Sequence, residues 1–202
     1  MATKQHDGIN WHAFAHVDKY SPEQTAWATA KLGYEPQGDK LRELFAEPED
    51  GFAEADGNLL TTVGLTTITS LLIGTSPSGK LYPLANANAV CGVGATATAA
   101  TVADTVLGAN GGSAYYQQMD STYPQVSAGV ITGQCTYASG NANFAWAEWG
   151  WASGTGTITA GATLASVYGT GASFSLWNHK IQSLGTKVSG ASWVFVTTVT
   201  LA

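Results

Sequence analysis

Charge is confined to one end of this chain. Sixteen of its twenty-two charged residues lie in the first 57 positions, and the 145 residues after Gly57 hold only Lys80, Asp104, Asp120, Glu148, Lys180 and Lys187. A chain divided in this way meets two solvation problems. One is an acidic segment with helix-forming stretches. The other is a nearly uncharged Gly/Thr/Ala-rich body that must cover its surface with hydroxyls, small residues or other protein. The expected organisation is therefore an acidic N-terminal arm with two short helices over residues 1–57, and a low-charge β-rich body over 58–202 preceded by one helix at about 61–73.

The same distribution excludes several function classes. A net charge of −6 with no Lys/Arg cluster offers nothing to displace phosphate counterions, so neither nucleic acid nor an anionic membrane is an expected partner. No apolar run approaches the ~18 residues of a membrane span, and MATKQHDGIN lacks the apolar stretch of a signal peptide, so synthesis in a cytoplasm is expected. Cys91 and Cys135, 44 positions apart, fit neither a disulfide framework nor a zinc spacing. Free, buried thiols are expected.

Within the arm, Ser21-Pro22-Glu23-Gln24 sets a cap before a proline at the first helical position, and the helix runs to a terminating Gly33. A second short helix is expected from Asp39 to Phe45. Glu47 to Asp56 carries five carboxylates and no cation, the composition of a solvated linker. The arm's apolar stripes are too narrow for a core of their own. Trp11, Phe14, Tyr20, Trp27, Leu41 and Phe45 are therefore expected to anchor it on a neighbouring subunit, and deletion of residues 1–57 is expected to leave a folded body.

In the body, Thr61 or Thr62 caps a helix that ends at Gly74. Seven strand-like runs follow: Ala89–Val93, Ala114–Asp120, Val130–Tyr137, Asn143–Trp151, Ala162–Val167, Ser173–Gln182 and Ser192–Leu201. They predict a mainly β fold, an antiparallel sandwich or barrel-like body. The last run is apolar on both faces at its start, which marks a central strand.

Motifs for catalysis are sparse. His12 and His16 have the spacing of a metal pair but lack the glutamate of a zinc protease and a third ligand, and the glycines at Gly92 lack the rest of a phosphate-binding loop. No G-x-S-x-G occurs, and His179 has only Asp104, Asp120 and Glu148 to orient it within the body. Strand alternation would set Glu148 beside Phe144 and Trp146, as a carboxylate paired with Lys180, Lys187 or backbone amides. Trp146, Trp149, Trp151, Trp177 and Trp193 read as core and subunit contact together with Phe144, Glu148 and His179, although the same aromatics could stack a glycan. No catalytic, cofactor-binding or metal residue is assigned, and no enzyme activity is expected.

The order Gly57-Asn-Leu-Leu-Thr-Thr through Ile73-Gly74, Val90-Cys-Gly-Val-Gly94, Met119-Asp-Ser-Thr-Tyr-Pro124, Asn141 through Gly150, Leu176-Trp-Asn-His-Lys-Ile181 and Leu184 through Trp193 resembles virion structural proteins of tailed bacteriophages, particularly of actinobacterial hosts. The resemblance runs from about Gly57 to Ala202. It implies a non-enzymatic particle component: a capsid decoration or minor capsid protein bound to the shell through its arm, or alternatively a minor tail or fibre protein. The implied partners are the major capsid protein or other virion proteins and further copies of the chain, a trimer being favoured, with the virion as its location. A carbohydrate-binding sandwich is the remaining alternative.

Overall fold

The computed structural model describes residues 11–74, 83–169 and 171–201. Among these residues the architecture is mainly β: eleven strands in two antiparallel sheets, with four helices. The first sheet has the order β2 (Phe52–Asp56), β1 (Trp11–Tyr20), β11 (Ser192–Leu201), β7 (Val130–Tyr137), β6 (Gln125–Ser127). The second runs β3 (Leu59–Leu60), β10 (Asn178–Thr186), β8 (Ala145–Gly154), β4 (Ala89–Gly94), β5 (Ala114–Gln118), and β9 (Phe174–Leu176) pairs with the far end of β8. The sandwich expectation holds.

Large aromatics fill the space between the sheets. Trp146, Trp149 and Trp151 of β8, Trp193 and Phe195 of β11, and Tyr137 of β7 are all buried there. Trp146 meets Trp193 and Tyr137 edge-on, with centroids 4.8 and 4.7 Å apart, the arrangement ring quadrupoles favour. The indole N–H of Trp151 donates to Thr197 Oγ1 of the facing sheet at 2.6 Å. Cys91 and Cys135 are free and buried in this layer.

The N-terminal residues do not form a separate arm. Residues 1–10 lie outside the described residues, but Trp11–Tyr20 is a ten-residue strand paired with β11 along its whole length and with β2 on its other side. Ala13, Ala15 and Val17 enter the inter-sheet core. Helices α1 (Pro22–Leu32) and α2 (Gly38–Leu44) then fold back over the outer face of the first sheet, where Tyr20, Ala28, Leu41 and Val194 form a second buried cluster. Val194 and Val196 are thus the outward residues of a central strand, covered by these helices. Part of the expected linker, Phe52–Asp56, is the edge strand β2.

α1 arises where its cap places it, whereas α2 begins at Gly38, one residue before the expected Asp39, with no side-chain cap from Gln37. Ser21 and Gln24 make a reciprocal capping box on α1, and Gly33 closes it in the left-handed conformation. At α2, Gly38 lies so close to Val194 and Gln134 that a Cβ would clash, and its N–H donates to Thr136 Oγ1 at 2.8 Å. α3 (Thr62–Ile73) is capped by Thr61 and ends at Gly74. One expected strand is instead the helix α4 (Leu164–Tyr168), because Thr163 and Ser166 form a capping box that draws the chain into a turn.

Candidate functional site

His179 stands at the centre of the most chemically loaded cluster. It lies on β10 with 2% of its surface exposed, facing Glu148 of β8 and Asp104 of the loop that joins β4 to β5. Its Nδ1 is 2.6 Å from Asp104 Oδ2 and its Nε2 2.7 Å from Glu148 Oε2. Glu148 is fully buried and accepts the backbone N–H groups of Gly108 and Ala109, each at 2.8 Å. Asp104 accepts the N–H and hydroxyl of Thr101 at 2.8 and 2.7 Å.

Burial opposes a charge on the imidazole, but the hydrogen bonds and charges of Glu148 and Asp104 outweigh it and raise the pKa of His179 above its ordinary value. Asp104 answers in the opposite direction: desolvation is overcome by the Thr101 and His179 hydrogen bonds, and its carboxyl is held below the usual range. The cluster is an imidazole ring held between two carboxyl groups, and Glu148 extends it to the backbone of the β4–β5 loop. With each ring nitrogen within hydrogen-bond distance of a carboxyl oxygen, neither faces a hydroxyl or thiol as a hydrolytic triad requires. What the arrangement does chemically is fasten that loop to the second sheet.

Glu148 reaches this position by a break in alternation. Its pairing with β10 shifts register between Ile181 and Gly185. Trp146 and Trp149 consequently pack on the same ring, Phe195, at 6.4 and 5.5 Å, while Glu148 turns towards Gly94, Gly108 and His179. The expectation that Glu148 sits beside Phe144 and Trp146 is thereby corrected. Backbone amides bind it, as one expectation held, but its charged partner is His179 rather than Lys180 or Lys187. Lys180 donates to Asp56 O at 2.7 Å; Lys187 is 1% exposed and donates to Ala138 O at 2.9 Å and Asn143 Oδ1 at 2.8 Å. Burial lowers the Lys187 pKa to about 8.

A second polar cluster latches α2 to the first sheet. Arg42 Nε and Nη2 donate to Asp18 Oδ2 at 2.9 and 2.7 Å, and Nη1 reaches Gln134 at 2.5 Å. Gln134 Nε2 in turn donates to buried Asp120 at 2.9 Å, which also accepts the N–H and hydroxyl of Thr136. Burial raises the Asp120 pKa against those hydrogen bonds. His12 and His16 lie on a strand and pair with carboxylates of their own, Asp56 at 2.9 Å and Asp18 at 2.8 Å.

The expected anchor residues separate into two groups. Tyr20 and Leu41 are fully enclosed beneath α1 and α2, whereas Trp11, Phe14 and Phe45 are half-buried and Trp27 is 49% exposed. Trp11 donates to Asn58 Oδ1 at 2.7 Å, and Phe45 packs between Tyr20 and Trp27. The expected contact residues Trp146, Glu148, Trp149, Trp151, Trp177, His179 and Trp193 are buried within their own chain, with Phe144 packed against them. No flat platform for a sugar is built from those indoles. Asp18, Arg42, Gln134 and Glu35, which accepts from Ser139 and Ser192, carry no sequence signal of their role.

Among the described residues, no helix is long and apolar enough to cross a membrane, and no group of three or more His, Cys, Asp or Glu is placed to hold a metal ion. Comparison with protein-family models, curated proteins and solved structures found no match.

Proposed function

We propose that this chain is a non-enzymatic structural component of a tailed-phage particle, a capsid decoration or minor capsid protein that adds buried interface to the shell. The observation that carries the structural half of this reading is the His179 clamp. The residues with most catalytic capacity spend it on each other, joining a loop to a sheet. The virion half rests on the resemblance along residues 57–202.

The face offered to the shell is the outer surface of α1 and α2, where Trp27 and Tyr34 are 49% and 55% exposed beside Glu23 and Glu43. This keeps the N-terminal region as the contact while making it part of the folded body. The face is of mixed charge, with Lys31 over the Trp27 ring and Lys40 paired with Glu43, and its exposed aromatics suit a partly apolar patch on a neighbouring virion protein.

Quantitative mass spectrometry of purified virions tests the reading. A copy number within a few-fold of the major shell protein is expected. A handful of copies per particle would move the chain to the tail, and its absence from particles would overturn the proposal.

A further inference from the structure

Helix α3 packs Ile68 and Leu71 against the inter-sheet core but leaves three further large apolar residues on the outside. Its buried positions are Gly64, Thr67 and Ser70, whereas Leu65, Leu72 and Ile73 are 51%, 72% and 73% exposed. Those positions are small because the helix there lies tight against β9 and the residue after it. A Cβ on Gly64 would strike the Trp177 backbone, Thr61 N–H donates to Trp177 O at 3.0 Å, and the Thr67 hydroxyl meets that of Ser175 at 3.0 Å. Nothing in that packing accounts for the outer residues.

Those outer residues are ordered. Thr62, Leu65, Thr66, Thr69, Leu72 and Ile73 are exposed at i, i+3, i+4, i+7, i+10 and i+11, the a, d and e spacing of a helix–helix seam over two heptads. The threonine hydroxyls are turned inward along the helix: Thr66 donates to Thr62 O at 2.8 Å and Thr69 to Leu65 O at 3.0 Å, leaving methyl groups outermost. Val102, 54% exposed, extends the patch, since its carbonyl accepts the Thr62 N–H at 2.7 Å. Residues 58–79 contain no charged side chain.

We propose that copies of this chain meet through this face, the outer stripe of α3 packing on the same stripe of a second copy around a rotation axis. The proposal deepens the assembly reading above and rests on it for the expectation that copies associate. Charge favours a second copy as the occupant. The chain carries −6, most of its charged residues lie in the first 57 positions, and self-contact there would set like charges together; here it sets none. Area agrees. Leu65, Leu72, Ile73 and Val102 expose on the order of 400 Å² of apolar surface, within the range of the largest patches on ordinary monomers. The exposed Thr62, Thr66 and Thr69 add to it, so the stripe would form the apolar centre of an interface whose standard size is ~800 Å² per partner. A self-complementary stripe is also what a symmetric contact requires.

Analytical ultracentrifugation of the whole chain at micromolar concentration is expected to give an oligomer. The double variant Leu65→Glu/Leu72→Glu should fall to the 20.9 kDa of one chain with its near-ultraviolet circular dichroism unchanged. Because a double variant can misfold, Leu72→Cys supplies a second arm. The native thiols are buried, so a short bis-maleimide should join two chains at position 72. An oligomer unaffected by the glutamates and not cross-linked at position 72 would overturn the α3 proposal while leaving the virion reading to particle mass spectrometry. A monomeric wild-type chain would overturn it outright.

Discussion

At the scale of single residues, the His179 clamp makes a signed prediction about pH. A raised imidazole pKa contributes stability that is fully present below the unfolded value of 6.5 and is lost as pH climbs through the folded one. The lowered carboxyl of Asp104 contributes above its unfolded value of 3.8 and is lost as pH falls through the folded one. The clamp is therefore strongest between those ranges. His179→Gln should cost ~3 kcal/mol near pH 5–6, because it leaves a buried Glu148 without its cation. The gap to wild type should narrow towards pH 9. Thermal melts of both proteins across that range check it, and a gap that stays constant with pH would mean the ring acts by shape alone. None of this was legible in sequence, since His179 lies 75 positions from Asp104 and 31 from Glu148. Sequence reduced the acids that could orient it to three; the pairing of β8 with β10 selected Glu148 and the path of the β4–β5 loop selected Asp104.

Elements were legible where their signals are local. β7 and β11 have the bounds their composition sets, and α1 and α3 begin and end at their caps. β1 was missed because its inward positions Ala13 and Ala15 have low strand propensity, and its alternation is hidden among histidines and aromatics. Residues 162–167 depart from the expected strand because the local cap of Thr163 and Ser166 outweighs the strand preference of Thr163 and Val167. α3 gives the element-scale prediction. Gly64→Ala would drive a methyl into the Trp177 backbone, which cannot yield as a side-chain tip can, and should cost roughly 1–3 kcal/mol. Hydrogen exchange should show the loss concentrated in residues 62–73. A uniform loss across both sheets, or none, would argue against close seating of α3.

At the scale of the whole molecule, the charge boundary near residue 57 and the folding boundary are different things. Sequence reading equated them because a low-charge body and an acidic segment have different solvation. The sheet joins them: β1 supplies ten register pairs to β11, and α1 and α2 cover Val194. Acidic residues gather on this side because β2 is an edge strand and the helices form an outer layer, both places where charge is solvated and edge pairing is discouraged. A chain cut to residues 58–202 would therefore expose the full edge of β11, together with the inter-sheet residues that β1 covers. Such an edge is a template for aggregation. The truncated chain should be insoluble or lack near-ultraviolet circular dichroism, while the whole chain melts in one transition seen alike by tryptophan fluorescence and far-ultraviolet dichroism. A soluble, natively packed 58–202 fragment would restore the division into arm and body. It would also return Trp11, Phe14 and Tyr20 to the role of a detachable anchor.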